Sequence, residues 1–589
     1  MTAPAARMRA PSQKVQVLET DIVIIGGGVA GCLAALGAAE VGAKVVICEK
    51  GGIIERSGSV AAGVDHYIAI LEEGQEWDTP DYLLRHIPKV TEGVTDIEAA
   101  GRLVYGLKPM VKYLEDLGAD FHDPDHDDIP YYRHRAFGLP GEYHINFDGH
   151  NFKRSIGHAV RKTRAKVLER VMVSEILMDE GRPRGVVAFH IRHGTVYFIL
   201  AKAVIVTTGD ANRIGRNASG FAFDSWHMPY NTGDGHAMAL RVGTKLANME
   251  FTDCTLTPKG YSTQGLNAFV GGGAYFINTL GERFLSKYTP DAERAKRADL
   301  VNGVVSELLA GRGPIYCDCT HLPLPEIRKL ERTLGVDRPA LPIYFEQRKI
   351  DLAKEPFEIV VGEIATVRAG ALFRGAGIDI NADCASNVPG LFAAGDCSSV
   401  NAAVAGAAVM GHVAGLTAGR YIQSQPKPHP VSNEEQERIR ETLYKPLQKD
   451  KGILFNQFED EVRAIVTGLI GYRRDEARLQ EAQRRLHALK EREAELMAED
   501  YHGVMRVNEA RSVRTVAEVL AVSALARRET RGGAAHYRVD YPKRDDENFL
   551  KIIMVAQEGD ELQASSRPTN IPPTVLPESP LKSLDQQGV

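Results

Sequence analysis

At 589 residues the chain is too long for one ordinary domain and long enough for about three or four. Its 71 basic and 77 acidic side chains leave a formal charge of −6, which argues against nucleic acid as the main partner. No uninterrupted apolar run reaches the ~18 residues that a membrane span needs, and seven scattered cysteines, an odd number without framework spacing, fit a reducing cytoplasm.

The opening residues 1–15, "MTAPAARMRAPSQKV", lack an apolar core and are expected to be a disordered lead rather than a secretory signal. Residues 21–25, "DIVII", form a short apolar run rich in β-branched residues, as a buried parallel strand requires. Gly26, Gly28 and Gly31 follow in G-x-G-x-x-G spacing: the first for a tight turn, the second for backbone approach to a pyrophosphate, the third for close helix packing. A helix from about Val29 to Val41 then aims its N-terminal amides at that negative charge. The next strand, "KVVICE", ends in Glu49, whose carboxylate can accept from both hydroxyls of an adenosine ribose. Strand, glycines, helix and acid together read as a dinucleotide site.

Further along, "HDPDHDDIPYYRHR" (122–135) is rich in acids and histidines, but its spacings match no metal motif, and it reads as an exposed loop. "AKAVIVTTGD" (201–210) is a strand and turn carrying Thr208 and Gly209. Cys317 and Cys319, in "IYCDC", fall on one face of a strand and read as buried small residues. No C-x2-C-x2-C spacing appears, so no iron–sulfur centre is expected in the chain itself. "NVPGLFAAGDCSSV" (387–400) reads as a strand, a tight turn with Gly395, and Asp396 at a helix start; the Ala/Gly-rich run after it reads as a tightly packed buried helix. No second G-x-G-x-x-G follows a strand, which argues against bound NAD(P). Electrons are then exchanged with another protein, a quinone, oxygen or a second substrate.

These segments resemble one family. "GLFAAGD" and "VTTGD" are similar to the ribityl-binding and returning segments of two-dinucleotide-fold FAD proteins. "RSGSVAAG" (56–63), "NTGDGHAMALRVGTKLANMEF" (231–251), "NTLGERFLSKYTP" (278–290) and "ARRETRGGAAHYRVDYPKRDDENFLK" (526–551) resemble the succinate dehydrogenase and fumarate reductase flavoproteins, over roughly residues 18–555. The resemblance implies FAD, with Ala30, Lys50, Ser57, Ser59 and Gly63 near it, and Asp234 and Ala407 beside the later segments. Membrane-bound members carry a flavin-linked histidine near Gly58; a glycine cannot make that bond, so the FAD is expected to be non-covalent. "RSGSVA" leans toward the adenylylsulfate reductase α-subunits, whose partner is a small ferredoxin-like iron–sulfur subunit.

The departures from that family bear on the substrate. Dicarboxylate-reducing members have H-P-T after M-E-F; here the run is "MEFTDCTLTPKG". They have H-Y-x-M-G-G where this chain has "VRAGALFRGAG", and a clamping arginine where it has "NAAVAGAAVMG". Their proton-donating arginine lies in R-D-x-V; here Ala298 separates Arg297 from Asp299. The adenylylsulfate reductase pocket asparagine corresponds to Ile68. Candidates for chemistry are therefore Arg297, His66, Arg368, Arg374, Lys259 and Tyr261, with a satisfied buried histidine and surface ion pairs as the structural alternatives.

The expected fold is α/β: a two-dinucleotide-type, Rossmann-like FAD domain (16–235 and 356–430), an inserted α+β capping domain (236–355), and a helical C-terminal domain (431–555). The helical domain opens on a Ser432 or Asn433 N-cap, and a polar, proline-rich tail (556–589) is expected to be disordered or to wrap a partner. The favoured reading is a cytoplasmic FAD-dependent oxidoreductase acting on a small, anionic metabolite and exchanging electrons with an iron–sulfur partner, as a homo- or hetero-oligomer. The alternatives are a partner-free flavin oxidase, a soluble fumarate-reductase-like enzyme, or a non-catalytic electron-transfer subunit.

Overall fold

The computed structural model describes residues 14–62, 66–123, 129–134, 139–147, 149–216, 228–261, 266–337, 340–365 and 372–571. The lead residues 1–13, Gly63, Arg368 and the tail beyond 571 lie outside them.

The glycine-flanked apolar run is the middle strand, Ile22–Ile25, of a five-stranded sheet. Leu391–Ala393, Ala203–Val206, Ile22–Ile25, Val45–Glu49 and Lys166–Glu169 lie side by side in that order, and all four pairings are parallel. The middle strand is buried throughout, because helices cover the sheet, and its sequence shows no alternation for that reason. The helix Val29–Glu40 packs against Ala403–Tyr421, and the alanine and glycine content of both permits backbone-close contact. A Cβ at Gly37 would come within 2.5 Å of the His412 carbonyl oxygen. A second sheet, Val15–Glu19, Val196–Leu200, Arg182–His190 and Val171–Asp179, sits beside the first.

The cap is an antiparallel sheet of Asp253–Pro258, Phe357–Ala365, Ile315–Asp318 and Tyr275–Ile277, with the helix Arg297–Leu309 packed on it and a separate apolar core that includes Cys317 and Cys319. Its limits differ from the expected 236–355. Asp234–Arg241 packs on the flavin-domain strand Val171–Asp179 and on Tyr501–Ala526, while Phe357–Ala365 completes the cap sheet.

The C-terminal part is built on Asn433–Tyr444, Phe455–Ile465, Glu476–Arg492 and the long Tyr501–Ala526. Ser432 is the N-cap of the first, its side chain accepting from the Glu435 amide. The expected tail boundary at 556 is corrected: Lys551–Glu558 and Glu561–Pro568 form a β-hairpin about Gly559–Asp560. That hairpin extends a sheet with Leu246–Ala247 and Gly377–Ile378. The "EGDE" turn between two strand-forming runs was the overlooked signal. No described helix is long and apolar enough to cross a membrane.

Candidate active site

The G-x-G-x-x-G turn opens one cavity at the carboxyl ends of the parallel strands. Gly26, Gly28 and Ala30 form one side of it, and Glu49 and Lys50 stand at the end of the neighbouring strand. Ser57, Gly58 and Ser59 cover it, Thr208 and Gly209 come from the returning strand, and Gly395, Asp396 and Ala407 close the far end. Asp234 lines the same cavity. Gly31 does not; it is packing that requires a glycine there. A Cβ at Gly31 would strike the Gly26 carbonyl oxygen and lie 2.8 Å from Thr207 Oγ1. Asp396 sits in a 3₁₀ turn, Gly395–Cys397, rather than at a helix start; the following helix begins only at Ala403.

Glu49 is nearly buried and holds the phosphate turn in shape: its Oε2 accepts from the Gly27 amide at 2.7 Å and its Oε1 from the Gly51 amide at 2.5 Å. Lys50 donates to Asp234 Oδ2 at 2.6 Å and to Glu509 Oε1 at 2.9 Å. Burial alone would lower the ammonium pKa, but these two carboxylates outweigh it and raise it. Glu509 in turn accepts from Arg213 at 2.9 Å, and Arg213 reaches Glu459. Burial works to raise the Glu509 carboxyl, yet Lys50, Arg213 and Arg506 hold it at about 2. This row of buried charges joins the cavity wall to the helical domain. Glu509, Arg213, Met172 and Val173 escaped the sequence reading, because no local motif marks them: only packing brings Met172 and Val173 to the cavity, Glu509 to Lys50 and Arg213 to Glu509.

The cavity fits FAD. It offers a side-chain-free turn for a pyrophosphate, a helix N-terminus behind that turn, and a carboxylate at the adjoining strand end. Gly58 has φ +81°, and a Cβ there would lie 3.0 Å from Gly28 Cα, so a larger residue would press on the phosphate turn.

The chemical candidates separate. Arg297 begins the cap helix and donates through Nη1 to Asp253 Oδ2 at 3.1 Å and Oδ1 at 3.3 Å, while its Nε is buried without a hydrogen-bond partner among the described residues. Arg374 is 1% exposed, lies 3.8 Å over the Phe251 ring and donates to the Thr91 carbonyl at 3.1 Å. Burial pushes this guanidinium down to about 10; Glu92 and Glu250 oppose the shift, and Arg527 and Arg531 add to it. The two arginines therefore bracket "EFTD", the segment preceding the place where the dicarboxylate-reducing pattern has its histidine. Asp299, two residues beyond Arg297, is pushed up from 3.8 to about 7 by burial and by Glu92.

His66 stacks toward His144 at 4.6 Å, and His144 lies 5.1 Å from His134. Burial, reinforced by the other two rings, holds the His144 pKa well below the ordinary range. Lys259 is turned outward, paired with Glu358 at 2.7 Å, and does not line the FAD cavity. Tyr261 packs 5.0 Å from Tyr344. Among the described residues no group of three or more His, Cys, Asp or Glu is placed to hold a metal ion.

Comparison with known proteins gives the site its family. A model described as "FAD binding domain" matches residues 21–411, and one described as "Fumarate reductase flavoprotein C-term" matches residues 459–582. One chain of the CoM/CoB fumarate reductase of Methanothermobacter marburgensis is 26% identical over 569 residues, covering 92% of this chain and 97% of the relative. L-aspartate oxidase of Streptomyces coelicolor is 27% identical and covers 98% of each chain. The solved structure of adenylylsulfate reductase from Archaeoglobus fulgidus superposes with a TM-score of 0.84 at 25% identity, over 96% of this chain and 99% of that one. The chain is an FAD-dependent oxidoreductase and belongs to the fumarate reductase/succinate dehydrogenase flavoprotein family.

Proposed function

We propose that this flavoprotein is a catalytic subunit that oxidises or reduces a small organic anion and exchanges the electrons with a separate iron–sulfur protein in the cytoplasm. Bound FAD supplies the hydride chemistry. Gly26, Gly28 and the following helix would hold its pyrophosphate, Glu49 its ribose and Asp396 its ribityl chain. Gly58 carries no side chain to bond to the flavin, so acid precipitation is expected to release yellow FAD into the supernatant. Fluorescence left on the denatured chain would show a covalent link.

The observation that carries the anionic substrate is Arg297. Asp253 fixes its guanidinium through Nη1, and the buried Nε–H has no acceptor among the described residues. An unfilled donor on a fixed guanidinium is suited to a carboxylate, sulfate or phosphate. Arg374 positions the same segment by stacking on Phe251. The cap above this segment would exclude water, which strengthens each charged contact.

The electron partner is supported by three points. The sequence shows neither a cluster spacing nor a second dinucleotide fingerprint. The family resemblance includes a branch with an iron–sulfur subunit. Fumarate reductase relatives are themselves subunits of larger enzymes, that of Wolinella succinogenes being a "flavoprotein subunit" by name. The test is an anaerobic screen of small organic anions for bleaching of the flavin or its reoxidation, with and without a ferredoxin. An active anion should lose roughly ten- to a hundredfold in kcat/KM on Arg297→Gln, the worth of one charged hydrogen bond. An unchanged kcat/KM would remove Arg297 from the site. Rapid turnover with oxygen alone would favour the oxidase reading, which the L-aspartate oxidase relative supports.

A further inference from the structure

The helix Gly149–Lys162 carries an unusual residue on its buried face. Phe152, Ile156 and Val160 recur at the spacing of one helical face, with Lys153 and Gly157 beside them, while Arg154, Arg161 and Lys162 are exposed. Lys153 is 0% exposed, and it is the one fully buried lysine among the described residues. Lysine is almost never fully buried unless it is paired, because an ammonium is costly to take out of water.

Among the described residues Lys153 has no carboxylate within salt-bridge distance. Its Nζ donates to the Ile54 carbonyl oxygen and meets Cys32 Sγ at 3.5 Å. Neither contact supplies a negative charge. Burial raises the Cys32 thiol pKa and outweighs Lys153, which lowers it, so the sulfur stays neutral. The Ile54 carbonyl also accepts from Ser57 Oγ at 3.1 Å, so it is satisfied without the lysine. The acids nearby are engaged elsewhere. Glu49 holds the Gly27 and Gly51 amides. Glu55 and Glu169 share Arg161, and all three side chains are partly exposed, where water weakens their field.

Both contacts of Lys153 lead to the glycine turn. Cys32 lies in the first turn of the helix Val29–Glu40, and its Sγ donates to the Gly27 carbonyl at 3.4 Å. Ile54 opens the short turn Ile54–Arg56, and the next residue, Ser57, donates through Oγ to the same Gly27 carbonyl at 3.0 Å. The lysine's helix is pressed against that turn: a Cβ at Gly157 would lie 2.9 Å from Glu55 Cα. Gly26, Gly28 and Ser57 line the FAD cavity, and Lys153 does not. The ammonium therefore stands behind the turn that faces the pyrophosphate.

We propose that Lys153 is a positioning residue for FAD: its buried positive charge, set behind the glycine turn and without a counter-charge in the protein, is balanced by the negative charges of the cofactor's pyrophosphate. It acts through Cys32, Ser57 and Gly27 rather than by contact. Backbone amides and a helix N-terminus offer only partial charges. Lys153 adds a whole one inside the protein, where attraction is weakly screened. The inference concerns FAD retention and stands apart from the identity of the redox substrate.

The experiment follows FAD release from the diluted holoprotein by recovery of free-flavin fluorescence, then displacement of FAD by ADP and by adenosine. Lys153→Met is expected to weaken FAD retention roughly ten- to a hundredfold. Lys153→Gln can still donate to the Ile54 carbonyl but carries no charge, and it should lose nearly as much. In both variants ADP should weaken as a competitor by a similar factor, while adenosine, which has no phosphate, should compete as it does in the parent. If Lys153→Met does not fold, the Gln variant decides alone. The proposal is overturned if the variants retain FAD as the parent does. It is overturned if Lys153→Gln alone matches the parent, because a hydrogen bond would then explain the lysine. Equal weakening of ADP and adenosine would also overturn it, by assigning the loss to a damaged fold.

Discussion

The FAD cradle and the junction beneath the cap are built by opposite means. The cradle is mostly backbone: a glycine turn, a helix N-terminus and short strand ends, shaped by the 2.7 Å bond from Gly27 to Glu49. The junction is mostly buried charge. Arg474, Arg527, Arg531 and Arg538 are fully buried there, with Arg527 on Glu250 at 2.6 Å and on Glu529 at 2.8 Å, and Arg531 forked onto Glu529 at 2.6 and 2.8 Å. A backbone cradle serves a cofactor that is the same throughout the family. A junction of side-chain charges can be rewired by a few substitutions, so the substrate can change while the fold persists.

The largest expected effect tests whether the junction has in fact been rewired. Clamping and protonating a dicarboxylate requires several cations, each worth about 1.5–3 kcal/mol as a charged hydrogen bond. The histidines and the clamp arginine of that pattern are absent from "TDCTLTPKG", "VRAGALFRGAG" and "NAAVAGAAVMG". Fumarate reduction with a viologen donor and succinate oxidation with a dye are expected to fall several powers of ten below an ordinary enzyme rate of about 10 s⁻¹. Turnover near that rate would show that the junction still makes a dicarboxylate site.

The next effect measures what the buried charges contribute to the fold. Glu529→Ala would leave Arg527 and Arg531 facing each other without their shared carboxylate. Removing one partner of a buried ion pair costs about 3–5 kcal/mol. Urea unfolding of the FAD-saturated protein should show that loss; a cost below ~1 kcal/mol would mean that the junction relaxes or admits water.

The smallest is a pH effect, and it separates the junction from the cradle. Folding raises Asp299 from 3.8 to about 7, through burial and Glu92, with Lys296 opposing and Asp291 adding. Between those values the folded chain holds a proton that the unfolded chain has lost, so stability falls as pH rises through that window, by up to roughly 4 kcal/mol. Asp299→Asn should flatten the curve of melting temperature against pH from 4 to 7 or so. An unchanged slope would assign the pH dependence to other groups.

The sequence by itself determined the cradle, the parallel sheet, the buried alanine- and glycine-rich helix and the Ser432 cap, because each depends on residues a few positions apart. Gly26, Gly31 and Glu49 carry their meaning locally: a tight turn, a close helix and an acid at a strand end. Tertiary structure alone decided which charges meet. It buried Arg374 over Phe251, turned Lys259 outward to Glu358, and set His144 beside both His66 and His134. It also joined Lys50 to Glu509, and it placed the expected start of the tail, residue 556, within a β-hairpin that runs to Pro568. Periodicity and turn chemistry report on neighbours along the chain. A guanidinium finds its carboxylate hundreds of residues away only once the sheets and helices are packed, and the junction beneath the cap is made of such pairs.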